Sequence, residues 1–443
     1  MRASPKNTYG WYVAFVLLVG LTFSFIDRQV LNLLVVPIQA DLNITDTQIS
    51  ALQGLAFVMT YIGLCIPIGR LIDRYNRVLI MIGGILVWSV ATITCGFSRN
   101  YMEMFISRLG VGAGEASIHP GAVSILGDYF GPDQVAKPLS VYMMGPYLGA
   151  GIAMIFGAQV LHWASGTDTI YFPILGEVSA WQLTFIVVGL PGLLIAGLFL
   201  TIREPARIGG NQNSNSVPPW TQIISYIRKN KTAYSAIILG NSCLIIVLYG
   251  LQSWVPTMLL RVYDWDLIQA GRVYGLIALF AGSTGVLSGP FAVKMLEKKR
   301  YPAAPLKVGM ISAAISAFCF IVLPFSDTVE LALLCVAVAS FFVTFPLAGT
   351  TSAIIVISPN EMRGVITGLY VVVTSIFGLV LGPTLVAVST DYIFQDINAI
   401  SKSLSLVAIT VLPIGFLLMQ LGSKRFQVVK ERIDTSSGVG LEN

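Results

Sequence analysis

Charge is what this 443-residue sequence has least of: Asp, Glu, Lys and Arg make up 11% of it, against about a quarter in an ordinary soluble domain. Histidine is scarcer still, with only His119 and His162, far apart and without ligand spacing. That scarcity argues against an integral-membrane enzyme, which needs a nucleophile with its base or clustered metal ligands. The five cysteines, Cys65, Cys95, Cys243, Cys319 and Cys335, stand singly with no CxxC or Cys/His pattern, so they read as small buried hydrophobes. No GxxxxGK[ST] loop is present, which excludes an ATP-driven pump within this chain. Filter loops or charge rings of a channel are missing too.

What fills the sequence instead is apolar surface, at 55% of residues. A spanning helix needs about 20 apolar residues to cross a hydrocarbon core about 30 Å thick. Long apolar segments run over roughly 11–38, 46–69, 78–97, 103–127, 138–162, 181–202, 232–258, 267–293, 303–325, 329–357, 363–389 and 402–422. Twelve such segments without period-two alternation predict an all-α integral membrane protein rather than a β-barrel. The first run flows through Asp27 and Arg28 with no small-residue cleavage site, so it reads as a retained span rather than a signal peptide.

Lys and Arg set the expected orientation. With the N-terminus inside, twenty-one of the 27 basic residues fall in inner loops and tails, four (Arg99, Arg261, Arg272, Lys402) fall outside, and Arg28 and Arg108 lie within the membrane. Both termini are therefore expected to be cytoplasmic. The net charge of +5 follows from this bias and from anionic lipid, with no nucleic-acid partner. A polar, Gly/Asn/Ser/Pro-containing stretch separates spans six and seven. The expected organisation is a six-helix bundle over 1–203, a cytoplasmic linker over 204–231, and a second six-helix bundle with its tail over 232–443. Within the linker, "WTQIISYIRKN" suits either a short amphipathic surface helix or a turn leading into span seven. Gly145-Pro146 in span five and Gly382-Pro383 in span eleven stand six spans apart, as an internal repeat requires, and both suit helix bending between packed helices.

Only four charged residues lie deep in the membrane: Asp27 and Arg28 in span one, Arg108 and Glu115 in span four. An ionised group at the bilayer centre costs at least about 2.5–3.5 kcal/mol, so these four must be paired or hydrated. Asp27 and Arg28 diverge by about 100° and must reach different neighbours, while Arg108 and Glu115 share one face about 10 Å apart. The expected pairs are Asp27 with Arg108 and Arg28 with Glu115, with exchange of partners open to them. One reading is a static lock between two helices. The other is a protonation switch, in which Asp27 or Glu115 exchanges a proton and the released Arg takes a phosphate or carboxylate head group. His119, one turn from Glu115, suits a proton relay or a hydrogen bond at the Pro120 kink. The second half offers Asn241, Tyr249, Gln252 and Tyr370 as uncharged candidates for a cavity wall, residues that equally suit packing.

The pattern Gly69, Asp73, Arg74, Arg77 between spans two and three resembles the signature loop of the major facilitator superfamily, and Arg108, Gly112, Gly114 resemble its second signature. More narrowly, "DRYNR" at 73–77, the Asp27-Arg28 pair and "RLGVGAGEAS" at 108–117 resemble the Spinster family of lipid transporters. The resemblance covers nearly the whole chain; the loop after span eight keeps its basic residues but loses the Asp-Arg pattern. It implies the two-bundle major facilitator fold and a cytoplasmic gate at Gly69, Asp73, Arg74 and Arg77, in which Asp73 accepts from the N-terminus of a neighbouring helix. Positive-inside topology alone explains the Arg residues there, but not the Asp among them. The function implied is proton-coupled secondary transport by alternating access of a lysophospholipid or sphingoid-phosphate-like amphiphile. The alternative is an organic-anion/proton symporter of the same superfamily. The expected partners are that anionic substrate, protons and membrane lipid; no cofactor or metal is expected, and the chain is expected to act as a monomer in a bacterial inner membrane.

Overall fold

The computed structural model describes residues 8–165, 170–172, 176–207, 219–301, 303–359 and 362–436. Eleven helices among them are long and apolar enough to cross a bilayer. They are span one (Thr8–Leu33), two (Asp46–Arg74), three (Arg77–Cys95), five (Lys137–Ala164), six (Ala180–Phe199), seven (Lys231–Tyr263), eight (Leu267–Lys298), nine (Ala304–Phe325), ten (Val329–Val356), eleven (Arg363–Phe394) and twelve (Ile400–Ile433). Span four is the twelfth, in two pieces, Tyr101–Glu115 and Ile118–Gln134, each too short to cross alone. The continuous helix expected over 103–127 is thus corrected to a broken one. Pro120 has no N–H to give the carbonyl four residues back, at Ala116, and its ring crowds the preceding turn. Ser117 takes up part of the slack, its hydroxyl donating to Gly114 O at 3.0 Å.

The helices form two compact units. One comprises Met1–Gly210 with Asp264–Leu279, the other Asn211–Tyr263 with Phe280–Asn443. The first piece of span eight belongs to the first unit because its glycines lie against span five: a Cβ on Gly271 would stand 2.8 Å from Met154 O, and one on Gly275 3.0 Å from Gly151 O. Part of the expected linker, 208–218, lies outside the described residues; the part that follows is a helix, Trp220–Lys229. Spans five and six are joined through a short antiparallel hairpin, Ile170–Phe172 with Gly176–Val178, in an otherwise all-α fold as expected.

Inside the first unit, span one packs on spans five and six, span three on six, and span four on two and three. In the second, span seven packs on eleven and twelve. Lipid tails are as apolar as leucine, so spanning helices gain by close contact through small residues rather than by burying oil. The two Gly-Pro pairs lie at equivalent seams. Gly145-Pro146 opens the second piece of span five after a turn at Met143-Met144, and Gly145 rests against Leu21 of span one. Gly382-Pro383 follows a π-helical stretch, Ile376–Leu381, and Gly382 rests against Ile246 O of span seven. Trp254 donates to Pro383 O at 2.9 Å.

The tightest approach near the deep charges joins spans three and four. A Cβ on Gly84 would lie 2.0 Å from Ser117 Oγ and 2.6 Å from Gly114 O, whereas one on the adjacent Gly83 meets nothing within 4 Å. Gly84→Ala is expected to lower the thermal stability of the detergent-solubilised protein by ~1–3 kcal/mol of overpacking, while Gly83→Ala holds or raises it through helix propensity. Equal melting temperatures for the two variants would contradict the seam.

Candidate functional site

Span one places Asp27 and Arg28 on diverging faces, and they do reach different neighbours. Asp27, 2% exposed, turns to span three, where Thr92 Oγ1 donates to its Oδ2 at 3.3 Å. Arg28 turns to spans two and four and forms an ion pair with Glu115. Its guanidinium also lies 4.0 Å from the Phe57 ring centroid and 4.5 Å from that of Phe25, so cation–π attraction holds it even without its anion.

The expected direct pair of Asp27 with Arg108 does not form. Arg108 Nε donates to Leu52 O at 3.2 Å, in the π-helical turn Ala51–Leu55 of span two. The reason is axial: Asp27 and Arg28 differ by one residue rise of about 1.5 Å, whereas Arg108 and Glu115 differ by about 10 Å. Contact at one pair therefore separates the other. Arg108 and Glu115 still act on Asp27 electrostatically.

This cluster is left incomplete. Among the described residues, Asp27 Oδ1, Glu115 Oε1, both terminal nitrogens of the fully buried Arg108, Trp88 Nε1 and both side-chain amide atoms of Gln53 have no hydrogen-bond partner. Buried polar atoms are nearly always satisfied, so these mark a place for a further polar group or an added proton. Gln53, Trp88 and Thr92 were not anticipated. Gln53 carries a legible signal, as the only side-chain amide between Ala51 and Arg70 of span two; Trp88 and Thr92 look like ordinary span residues.

Glycines bring span four to the cluster. A Cβ on Gly112 would lie 2.2 Å from Phe57 O, and one on Gly114 2.5 Å from Gly84 O. Thr60 Oγ1 adds a bond to Leu109 O at 2.6 Å. His119 stacks on Tyr142, with ring centroids 5.9 Å apart, and among the described residues no hydrogen bond or ion pair joins it to Glu115.

At the Arg77 end of the first unit, the signature loop divides. Arg77, 1% exposed, is a hub: it pairs with Asp128, donates to Glu204 Oε1 at 2.6 Å and Ser124 Oγ at 2.8 Å, and reaches Pro205 O at 3.0 Å. Asp73 and Arg74 are exposed, with no hydrogen bond or ion pair to the described residues, and a Cβ on Gly69 meets nothing within 4 Å. The N-terminus of span three is served by Glu204, whose Oε2 accepts from Val78 N at 3.2 Å. Arg207 Nη2 closes the same end on Ile72 O and Tyr75 O, both at 2.8 Å. Sequence reading missed Asp128, Glu204 and Arg207, although "REPAR" after span six announces the last two.

In the second unit, Asn241 Nδ2 donates to Tyr370 Oη at 2.7 Å, and Asn241 Oδ1 has no partner among the described residues. Thr350 and Thr351 stand beside the Tyr370 hydroxyl. Tyr249 and Gln252 are half-buried. Among the described residues, no group of three or more His, Cys, Asp or Glu is placed to hold a metal ion.

Twelve spans in two units, with ionic groups buried in one of them, define a polytopic membrane transporter. The model of the Major Facilitator Superfamily matches residues 17–383, and the chain belongs to that family. It is 23% identical to an MFS-type efflux pump of Mycolicibacterium smegmatis, over 96% of this chain and 95% of that one. With Protein spinster homolog 1 of Xenopus tropicalis it shares 29% identity over 84% of this chain and 71% of the relative. With the sphingosine-1-phosphate transporter SPNS2 of the same organism it shares 24%, over 89% and 77%. The crystal structure of a bacterial homologue of the human lysosomal transporter Spinster superposes with a TM-score of 0.76 at 22% identity, covering 97% of this chain and 98% of the other. The chain thus resembles the Spinster transporters within its superfamily.

Removing one member of a buried ion pair leaves the other charge uncompensated. Arg77→Ala is expected to lower stability by ~3 kcal/mol, and Arg77→Lys, which keeps the charge but not the planar fork, to recover only part of it. A lysine variant that melts like the wild type in detergent would contradict the hub.

Proposed function

We propose that the chain is a proton-coupled secondary transporter that works by alternating access and moves a lysophospholipid or sphingoid-phosphate-like amphiphile. The observation that carries this reading is the incomplete polar cluster of the first unit. A static lock between helices gains nothing from buried atoms left without partners, since breaking or omitting one member of such a network is destabilising. A site that gains and loses a proton and an anionic group in turn has to leave such positions open. In the proposed cycle, a proton on Glu115 ends its ion pair and frees the Arg28 guanidinium, which Phe25 and Phe57 keep in place. The freed fork and the two open nitrogens of Arg108 then take the phosphate or carboxylate of the substrate through charge-assisted hydrogen bonds. Asp27, with one oxygen open, is the second proton-exchanging group.

Asn241, Tyr249, Gln252 and Tyr370 of the second unit carry no charge, which supports a substrate with an apolar portion. The likeness to the sphingosine-1-phosphate transporter supports the same class. We assign Asp73 and Arg74 to the cytoplasmic gate, with Arg77 holding the loop that carries them and Gly69 setting its start. Bending at Gly145-Pro146 and Gly382-Pro383 accompanies the exchange of access. The basic-residue bias supports cytoplasmic termini, and the bacterial relatives support a bacterial inner membrane; the chain acts as a monomer.

Proteoliposomes loaded with a pH-sensitive dye test the coupling. Adding a lysophospholipid or sphingoid phosphate is expected to change the lumenal pH for the wild type and, for Asp27→Asn, to do so about 5–150-fold less, the range of ordinary coupling free energies. A wild-type dye signal that ignores the amphiphile while the amphiphile still crosses overturns proton coupling. Uptake of a short carboxylate in preference to the lipid moves the assignment to an organic-anion symporter.

A further inference from the structure

Away from the buried charges, the first unit carries two cavities that share residues. One is an apolar trough of about 750 Å³ between spans three and four, walled by Leu86, Val87 and Val90 of one helix and Ile106 of the other. The second is a polar pocket of about 220 Å³ lined by Asp41 at the end of the span-one extension Val35–Leu42, by Arg99 after span three, and by Ser179 and Gln182 at the start of span six. Phe97 and Ser98 line both, so the trough and the pocket adjoin.

We propose that the two together bind one amine-bearing zwitterionic glycerophospholipid of the surrounding bilayer, a phosphatidylethanolamine, outside the transport cycle. Three observations carry this. Span three begins at Arg77 and ends at Cys95, about 28 Å at 1.5 Å per residue, which is close to one hydrocarbon thickness. The pocket at its Ser98 end therefore lies at head-group depth. The trough runs back along span three from Ser98 to Leu86, about 18 Å of helix, the depth of roughly one leaflet, and its walls are exposed where a membrane protein meets lipid: Val90 is 52% and Ile106 59% exposed. Its floor is the seam where Gly110 meets Ala91, a Cβ there lying 2.9 Å from that of Ala91, so the concavity is built from small residues and an acyl chain fills it.

The pocket matches the head group in charge. It places one guanidinium, Arg99, and one carboxylate, Asp41, in the same small space, as a phosphate and an ammonium in one molecule require. Asp41 is fixed in place, because its Oδ2 accepts from Trp181 Nε1 at 2.7 Å and from Ser179 Oγ at 3.1 Å, while its other oxygen remains for the ammonium. Glu103, at the mouth of the trough, serves span four instead: its oxygens accept from Arg99 N and Asn100 Nδ2, both at 2.7 Å. A trimethylated choline head cannot donate a hydrogen bond to Asp41, and a glycerol head leaves that carboxylate without a cation.

Thermal melts of the purified full chain in detergent doped with one lipid at a time test the site, using phosphatidylethanolamine, phosphatidylcholine and phosphatidylglycerol of identical acyl chains. The expected result is a rise in melting temperature with phosphatidylethanolamine alone. Arg99→Gln, which removes the charge, and Val90→Trp, which fills the trough, are each expected to lose the rise measured against their own lipid-free melting temperature. Equal shifts from all three lipids, or a phosphatidylethanolamine shift that survives in both variants, overturn the proposal. Should a variant not fold, native mass spectrometry of the wild type decides: selective retention of phosphatidylethanolamine supports the site, and indifferent retention of all three refutes it.

Discussion

The ion pair between Arg28 and Glu115 joins spans one and four in a place where water is scarce, and the surrounding structure is organised about it. In such a medium an unpaired guanidinium costs several kcal/mol, so the pair needs two helices to stay in register and aromatic rings to hold the cation. Phe25 and Phe57 supply the rings. The glycines of spans three and four supply the register, because a Cβ at Gly84, Gly112 or Gly114 would meet a neighbouring backbone oxygen at 2.6 Å or less. The break before Ile118 then frees the turn beyond Glu115 from the regular helical path.

The same pair has a geometric consequence for its neighbours. Because it consumes Arg28 and Glu115, the axial offset along span four strands Arg108 at the level of Leu52 and leaves Asp27 with a single hydroxyl donor. One ion pair thus leaves two half-satisfied ions beside it. Charge at the Arg77 end of this unit is handled in the opposite way: Arg77 has every nitrogen engaged, with two carboxylates, a hydroxyl and a carbonyl around it. A saturated hub suits rigidity, and an unsaturated cluster suits exchange. The Asn241–Tyr370 pair of the second unit carries no charge, although Asn241 Oδ1 is left without a partner among the described residues.

Much of this was legible in the residues. Helix number follows from apolar run length alone, and the Arg28–Glu115 pair follows from charge scarcity together with helical phase. Phase could not decide the partner of Asp27, because pairing by helix face ignores the axial rise that sets Arg108 apart. Pro120 was read as a kink, yet whether a proline bends or breaks a span depends on tertiary packing that composition does not carry. The part of Glu204 was hidden for a similar reason: it is distant in sequence, yet its carboxylate reaches the start of span three. Grouping the first piece of span eight with the first unit rests on close glycine contacts, which a linear reading of six plus six spans has no means to see.

In the proposed cycle the buried carboxylates change protonation when an anionic amphiphile arrives. Infrared difference spectroscopy of the membrane-reconstituted protein, recorded on adding lysophospholipid, reads this directly through the carbonyl stretch of protonated carboxyl groups. The account predicts a band change in the wild type that is lost in Glu115→Gln and altered in Asp27→Asn. An identical spectrum before and after binding, with binding verified in the same sample, would contradict it.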